Sequence, residues 1–337
     1  MTSPPFSRTS VGVGPDQMRL LSKIARMYHE RGVRQSEIAE DLHISQSRVS
    51  RLLRQAEELG IVQTTVTLPA GVYTDMEEEL ARRHGLLDAV IVDVGGASGD
   101  VIPALAAAAA TYLSETLGNE DSVGISSWSA NLLATVELMR PKNNAAVRLV
   151  TQLVGGVGDP TVQVSATRLL DRFATVTGCQ PLFLATPGLV SDPTVRRALL
   201  QDPSVTGVLQ AWQQLTVALV GIGAVDPSPL LQRSGNAIGP EQQEELRRLG
   251  AVGDVCLRFF DQAGQLINSP FNDRIVGISP AHLKNIPRRI GVAGGAKKHP
   301  AITAALQGGW INIVVTDLDT AQELLRNDQL RDALPGT

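Results

Sequence analysis

The chain has only two cysteines in 337 residues, Cys179 and Cys256, and no run approaching 18 consecutive apolar residues. Two cysteines cannot staple a chain of this size, and theirs is not a metal-ligand spacing. Both stand in apolar contexts, "TGCQPLFLA" and "DVCLRFFD", where a buried free thiol is the expected state. A reducing, cytoplasmic setting follows. Without a long apolar run, no segment reads as a membrane-spanning helix. The opening "MTSPPFSRTSVGVGPDQ" lacks the apolar core of a signal peptide, and residues 1–15 read as a disordered leader. No GxGxxG follows a strand and no GxxxxGK[ST] occurs, which weakens dinucleotide and P-loop readings. Neither a cofactor nor a metal is expected.

What is present is a globular composition, 43% hydrophobic and 19% charged, long enough for two or three domains. The net charge of −4 argues against a nucleic-acid partner until its distribution is considered. Residues 1–60 carry nine Lys and Arg against seven Asp and Glu, and Gln46 to Gln55 hold Arg48, Arg51 and Arg54 with no acid. Local charge, not the total, sets the field that a phosphate backbone feels.

The stretch "RQSEIAEDLHISQSRVSRLLRQ" explains that local excess. A first helix from Asp16 places Met18, Leu21, Ile24, Ala25 and Tyr28 on one stripe, and Gly32 ends it. A second helix over Gln35–Leu42 buries Ile38, Ala39 and Leu42. A third runs from Gln46 to Leu59, capped by Ser45 and stopped by Gly60. Two helices crossing closely around a short turn need a small residue, an apolar plug and a branched residue, and Ala39, Ile44 and Val49 fall in step. His43 stands at the turn position where many such motifs place glycine, and histidine tolerates positive φ better than most residues. Gln35, Ser36, Ser45, Gln46, Ser47, Arg48, Ser50, Arg51 and Arg54 are then left outward, with Arg and Gln suited to base edges and Ser and Arg to phosphates. The expected partner is a double-stranded DNA operator. Residues 16–62 form this helix-turn-helix domain, and 63–73, ending in Pro69-Ala70-Gly71, an extended linker. A helix over "TDMEEELARRHGL", capped by Thr74, opens the body at 74–337.

In the body, strand-like runs ("DAVIVDV", "SVGISS", "VRLVTQLVGG", "QPLFLA", "LTVALVGIG", "VCLRFFD", "RIVGIS", "RRIGVAGG", "INIVVTD") alternate with amphipathic helices. That alternation predicts an α/β fold with a mostly parallel sheet covered on both faces. Several strands finish in Gly or Ser, and in such sheets ligands bind beyond the carboxyl ends of the strands. "GISSWSANLL" adds hydroxyls before one helix and "GGAKKHPAI" two lysines before another, together a phosphate-tolerant pocket. Each feature also has a structural reading: glycines serving turns, Trp128 in the core, Lys297 and Lys298 as a solvated pair, Asp254 and Asp273 as caps.

The head, together with "TQLVGGVGD", "VALVGIG", "AVGDVCLRFFDQAGQ" and "IPRRIGVAGGAKKHPAITAALQGGWINIVVTD", closely resembles the SorC-type (sugar-binding-domain) bacterial transcriptional regulators over residues 16–330. The resemblance implies an effector domain similar in fold to phosphosugar isomerases and deaminases, binding a sugar, polyol or phosphosugar, in homotetramers or dimers. It implies that Gly124, Ser126, Ser127, Trp128, Ser129 and Asn131 form the phosphate loop and that Gly155, Gly156 and Gly223 offer backbone contacts. Asp254 would face the sugar, and Lys298 matches the lysine that follows the Gly294-Gly295 turn; Lys297, an extra lysine here, and Asp273 are further candidates for the site. The family loop usually reads Trp-Gly-x-Thr; here it reads "WSAN", so an unphosphorylated effector stays open. A phosphosugar isomerase or deaminase with a DNA-binding head is the alternative; Asp254, Asp273 and His299 are candidate acids and bases, but no Asp/Glu–His constellation is evident.

Overall fold

The structure, a computed structural model, describes residues 14–62, 71–95, 100–141 and 147–332. The expected leader (to residue 13) and residues 63–70 of the expected linker lie outside them. The chain divides into two compact units, Met1–Leu68 and Pro69–Thr337.

In the first unit, α1 (Pro15–Ala25), α2 (Gln35–Asp41) and α3 (Gln46–Glu58) enclose a core of Leu21, Ile24, Ile38, Val49, Leu53 and Ala56. α1 runs into a π turn over Arg26–Glu30, where the Arg31 N–H reaches back five residues to the Arg26 carbonyl at 3.2 Å. The wider turn shifts the phase of the apolar stripe. Met27 therefore enters the core, and the expected Tyr28 stays exposed, as does Met18 at the opposite end. Leu42 is only half-buried. Gly32 and Gly60 end their helices at φ +67° and +70°, and His43 stands in the left-handed region at φ +51°.

The second unit is built on a seven-stranded sheet: β1 (Asp88–Val92), β2 (Ser122–Ile125), β3 (Leu149–Gln152), β4 (Gln180–Leu182), β5 (Val217–Gly221), then, past a small hairpin sheet, β9 (Arg288–Val292) and β10 (Ile313–Asp317). The intervening β6 (Gly223–Ala224), β7 (Gly253–Val255) and β8 (Arg258–Phe260) pair antiparallel among themselves. The large sheet runs β1-β10-β9-β5-β2-β3-β4, every pair parallel. Successive side chains of a strand face opposite ways. On β5, Val217 and Leu219 enter one core, with the helices Ile102–Thr116, Ala130–Leu138 and Gln163–Thr177, while Ala218 and Val220 enter the other. Both faces are covered, as the continuous apolar runs require.

Two expected strands differ. "VCLRFFD" is not one strand but a tight hairpin: β7 and β8 join through Cys256 and Leu257, both in the left-handed region at φ +53° and +64°. Turns of this kind favour Asn-Gly, so nothing in the sequence signals one. "RIVGIS" forms no strand; its buried residues make isolated bridges, Leu189 to Ile275 and Val154 to Gly277. Thr74 is the first helical residue of Thr74–His84 rather than its cap. Helices over Thr206–Trp212, Pro229–Arg233, Pro280–Asn285 and Leu318–Asp332 were not signalled.

Candidate functional site

On the first unit, burial of Val49, Leu52 and Leu53 turns the remaining face of α3 outward. Ser36, Ser45, Gln46, Ser47, Arg48, Ser50, Arg51 and Arg54 are all exposed, and Gln35 is half-buried. The Ser45 hydroxyl accepts the Arg48 N–H at 3.3 Å and lies 3.1 Å from the Ser47 hydroxyl, so the cap holds the start of α3. Arg51 Nε donates to the Ser47 carbonyl at 3.4 Å, leaving the far end of its guanidinium to reach outward. Three guanidiniums, an amide and hydroxyls on one helix face are chemically a donor array for phosphates and base edges.

On the second unit, parallel pairing puts every carboxyl end of the large sheet at one edge. β2 is followed by β3 on one side and β5 by β9 on the other, so the strand order reverses between β2 and β5. That reversal opens the crevice in which such sheets take ligands. The loop leaving β2 lies there and is tied down on three sides. Ser127 Oγ donates to the Val154 carbonyl at 2.7 Å, Trp128 Nε1 to the Gly155 carbonyl at 3.1 Å, and Asn131 Nδ2 to the Val292 carbonyl at 3.0 Å. Ser126 Oγ accepts the Gly221 N–H and Ser129 Oγ the Leu132 N–H, both at 3.3 Å. Each of these last two hydroxyls keeps its proton to give. A Cβ on Gly221 would sit 2.6 Å from Ser129 Oγ.

Facing this loop element by element are β6–β7 and the turn after β9. Gly223 pairs with Asp254 across the small sheet, and a side chain on Gly223 would collide with that carboxylate. Asp254 Oδ2 accepts the Leu257 N–H at 2.9 Å, which fixes the left-handed Cys256–Leu257 turn. Burial pushes the Asp254 carboxyl up to about 6, against the opposing pull of the Leu257 N–H and the Lys298 charge. Lys298, half-buried, is lowered by the same desolvation while Asp254 holds it up. The two are electrostatic partners. Gly294 and Gly295 form the turn that leads to Lys298. The buried Asp317 carboxylate accepts the Gly295 N–H at 2.7 Å, and Thr320 from both its N–H and its hydroxyl at 2.9 and 2.7 Å.

The structure thus brings together Ser126, Ser129, Gly221, Gly223, Asp254, Gly294, Gly295 and Lys298 at one edge. Ser127, Trp128 and Asn131 serve as ties within it, and Gly124 packs beneath it against Leu153 and Leu215. Gly155 and Gly156 are required by packing: side chains there would strike Pro187 and Gln152. Lys297 is exposed. Asp273 is exposed on the turn Pro270–Arg274, and the charge it faces is Arg258 rather than a lysine. Sequence reasoning missed Asp317, Gln152, whose Oε1 accepts the Leu184 N–H, and Asn236, which joins Gly188 to Val157. Each is a single polar residue with partners far away in the chain. Among the described residues no group of three His, Cys, Asp or Glu could hold a metal ion, and no helix is long and apolar enough to cross a membrane.

Residues 70–326 match the sugar-binding domain family. The chain is 32% identical over 317 residues to the deoxyribonucleoside regulator of Bacillus subtilis, spanning 93% of this chain and 99% of that one. It is 33% identical over 309 residues to the transcriptional regulator LsrR of Escherichia coli, spanning 91% and 94%. The crystal structure of the full-length sorbitol operon regulator SorC from Klebsiella pneumoniae superposes with a TM-score of 0.69 at 27% identity, over 92% of this chain and 99% of that one.

Proposed function

Because the chain belongs to the SorC-type family of transcriptional regulators with a sugar-binding domain, we propose that it is a DNA-binding regulator controlled by a sugar-class effector. α3 enters the major groove, with Arg48 and Arg51 reading base edges and Arg54 touching phosphate. The effector, a sugar, polyol or phosphosugar, occupies the crevice at the β2–β5 reversal. The observation that carries this reading is the pairing of Asp254, an acceptor for hydroxyls, with Lys298 and the free O–H groups of Ser126 and Ser129, close to glycines at one edge of the sheet. The effector acts by binding one quaternary arrangement of a homo-oligomer better than another, since only differential affinity moves an equilibrium. A coupling of roughly 1–3 kcal/mol changes operator affinity about 5- to 150-fold.

Of the candidate acids and bases, Asp254 is engaged by the Leu257 N–H, Asp273 faces Arg258, and His299 opens the helix His299–Gln307 with its Nε2 buried. We therefore favour binding without turnover over a phosphosugar isomerase. The test is fluorescence anisotropy on a duplex from the protein's own upstream region, titrated with sugars, polyols and their phosphates. One compound should shift DNA affinity fivefold or more, with the sign separating inducer from corepressor. A panel that leaves DNA affinity unmoved while one sugar phosphate is isomerised would reverse the choice.

A further inference from the structure

Behind the β7–β8 hairpin, on the face opposite Asp254, lies a charge that the effector site does not use. Arg258 is 4% exposed, and among the described residues its guanidinium makes one hydrogen bond, Nη1 to the Asn272 carbonyl at 2.9 Å. Its Nε is buried with no partner. The side of the guanidinium that is left, Nε with Nη2, is the edge whose two parallel N–H groups match two oxygens of one anion. Arg196, half-buried on the helix Pro193–Gln201, converges on the same backbone, donating from Nε to the Ile275 carbonyl at 2.7 Å. Two guanidiniums are thereby anchored three residues apart along one segment. Burial, and then the like charge of Arg196, draw Arg258 down to about 10; Asp273, exposed, acts the other way. No carboxylate forms an ion pair with Arg258 or Arg196 among the described residues. Arg274, beside them, gives its Nε to the Val190 carbonyl at 2.8 Å and faces Asp192. Buried charges are normally paired, so an excess of cation at this depth calls for an anion.

We propose that Arg258 and Arg196 form an anion site for a phosphate dianion, free or carried as a phosphomonoester, separate from the Asp254–Lys298 pair. Two guanidiniums against one exposed acid leave a net positive site, and phosphate, with more than two oxygens to offer, engages both guanidiniums where a two-oxygen carboxylate is filled by one. The free edge of Arg258 takes two oxygens, and the outer end of Arg196 closes on a third. The site goes beyond the sugar-effector reading, and its test needs no DNA, so failure of one is distinguishable from failure of the other.

The experiment is isothermal titration calorimetry of the full chain with sodium phosphate in a chloride buffer of matched ionic strength. Wild-type protein should bind phosphate, and Arg196→Gln should weaken it by at least about fivefold, the loss of one charge-assisted contact. Arg258→Lys keeps the charge and removes the two-pronged edge, and should weaken binding similarly where its melting curve stays that of the wild type. Arg196→Gln carries the test on its own if Arg258→Lys unfolds. Absence of phosphate binding overturns the proposal. So does binding abolished by Lys298→Gln but untouched by Arg196→Gln, which would place the anion at the sheet edge. Acetate binding as tightly as phosphate would overturn the assignment to a dianion.

Discussion

Replacing Asp254 with asparagine should make the protein gain stability relative to the wild type as pH rises from about 4 to about 7. Asp254 is 8% exposed, and burial raises its carboxyl from the ordinary 3.8 to about 6. In the unfolded chain the group ionises near 4, whereas the folded chain holds its proton to near 6. Between those values the native state binds more protons, so stability falls as pH rises and levels off above about 7. The rise corresponds to about 3 kcal/mol, at roughly 1.4 kcal/mol for each tenfold change in proton affinity. Asparagine keeps an acceptor for the Leu257 N–H and carries no charge, so Asp254→Asn lacks this decline. Its buried NH2 group offsets part of the gain, by about 1–3 kcal/mol if it finds no acceptor. The informative quantity is therefore the difference between variant and wild type as pH changes, not its value at one pH. Urea unfolding of both proteins between pH 4 and 8 measures it. A difference that is flat across that range would refute the burial argument. The same variant should lose its effector response, since an amide cannot replace a carboxylate as a double acceptor of sugar hydroxyls.

Gly223→Ala should push the Asp254 carboxylate out of place, lowering stability by about 1–3 kcal/mol and abolishing the effector response while operator affinity, read by anisotropy without effector, is kept. His43→Gly should stabilise the DNA-binding unit by about 1 kcal/mol, because glycine adopts the left-handed conformation without the Cβ clash; hydrogen exchange of the α2 and α3 amides reads that unit, and unchanged protection would contradict the strain. Arg54→Gln should weaken binding to all duplexes alike and flatten the dependence of log K on log salt by about 0.9. A change of sequence preference instead would move Arg54 from phosphate to base contact.

The parallel sheet, its two covered faces and the glycine-ended strands were legible because periodicity and glycine placement are local signals. The helix-turn-helix was legible for the same reason: Ala39, Ile44 and Val49 are close in the chain. What escaped depends on distant partners or on conformations the residue type disfavours. Cys256 and Leu257 turn a hairpin because Asp254 accepts the Leu257 N–H, not because either favours positive φ. Tyr28 left the expected core because a π turn slipped the register, which no apolar spacing records. Asp317 reads as an ordinary strand end until Gly295, 22 residues earlier, is seen to donate to it. Ile275 and Val276 alternate like a strand but are claimed by two loops from elsewhere. Asp273 is an acid in a promising sequence context that the fold turns toward Arg258.

The sheet order also bears on how the protein is made. Among the described residues β1 is an edge strand with β10 as its one neighbour, Asp88 standing opposite Ile313. At translation speeds of roughly 5–20 residues per second, the ribosome needs about 10–45 s to supply that neighbour. Throughout that interval the nascent body carries an unpaired apolar edge, the kind of surface on which chains aggregate and chaperones act. A chain cut short before β10 would keep that edge open permanently, so early termination should mark the product for degradation rather than leave a working half.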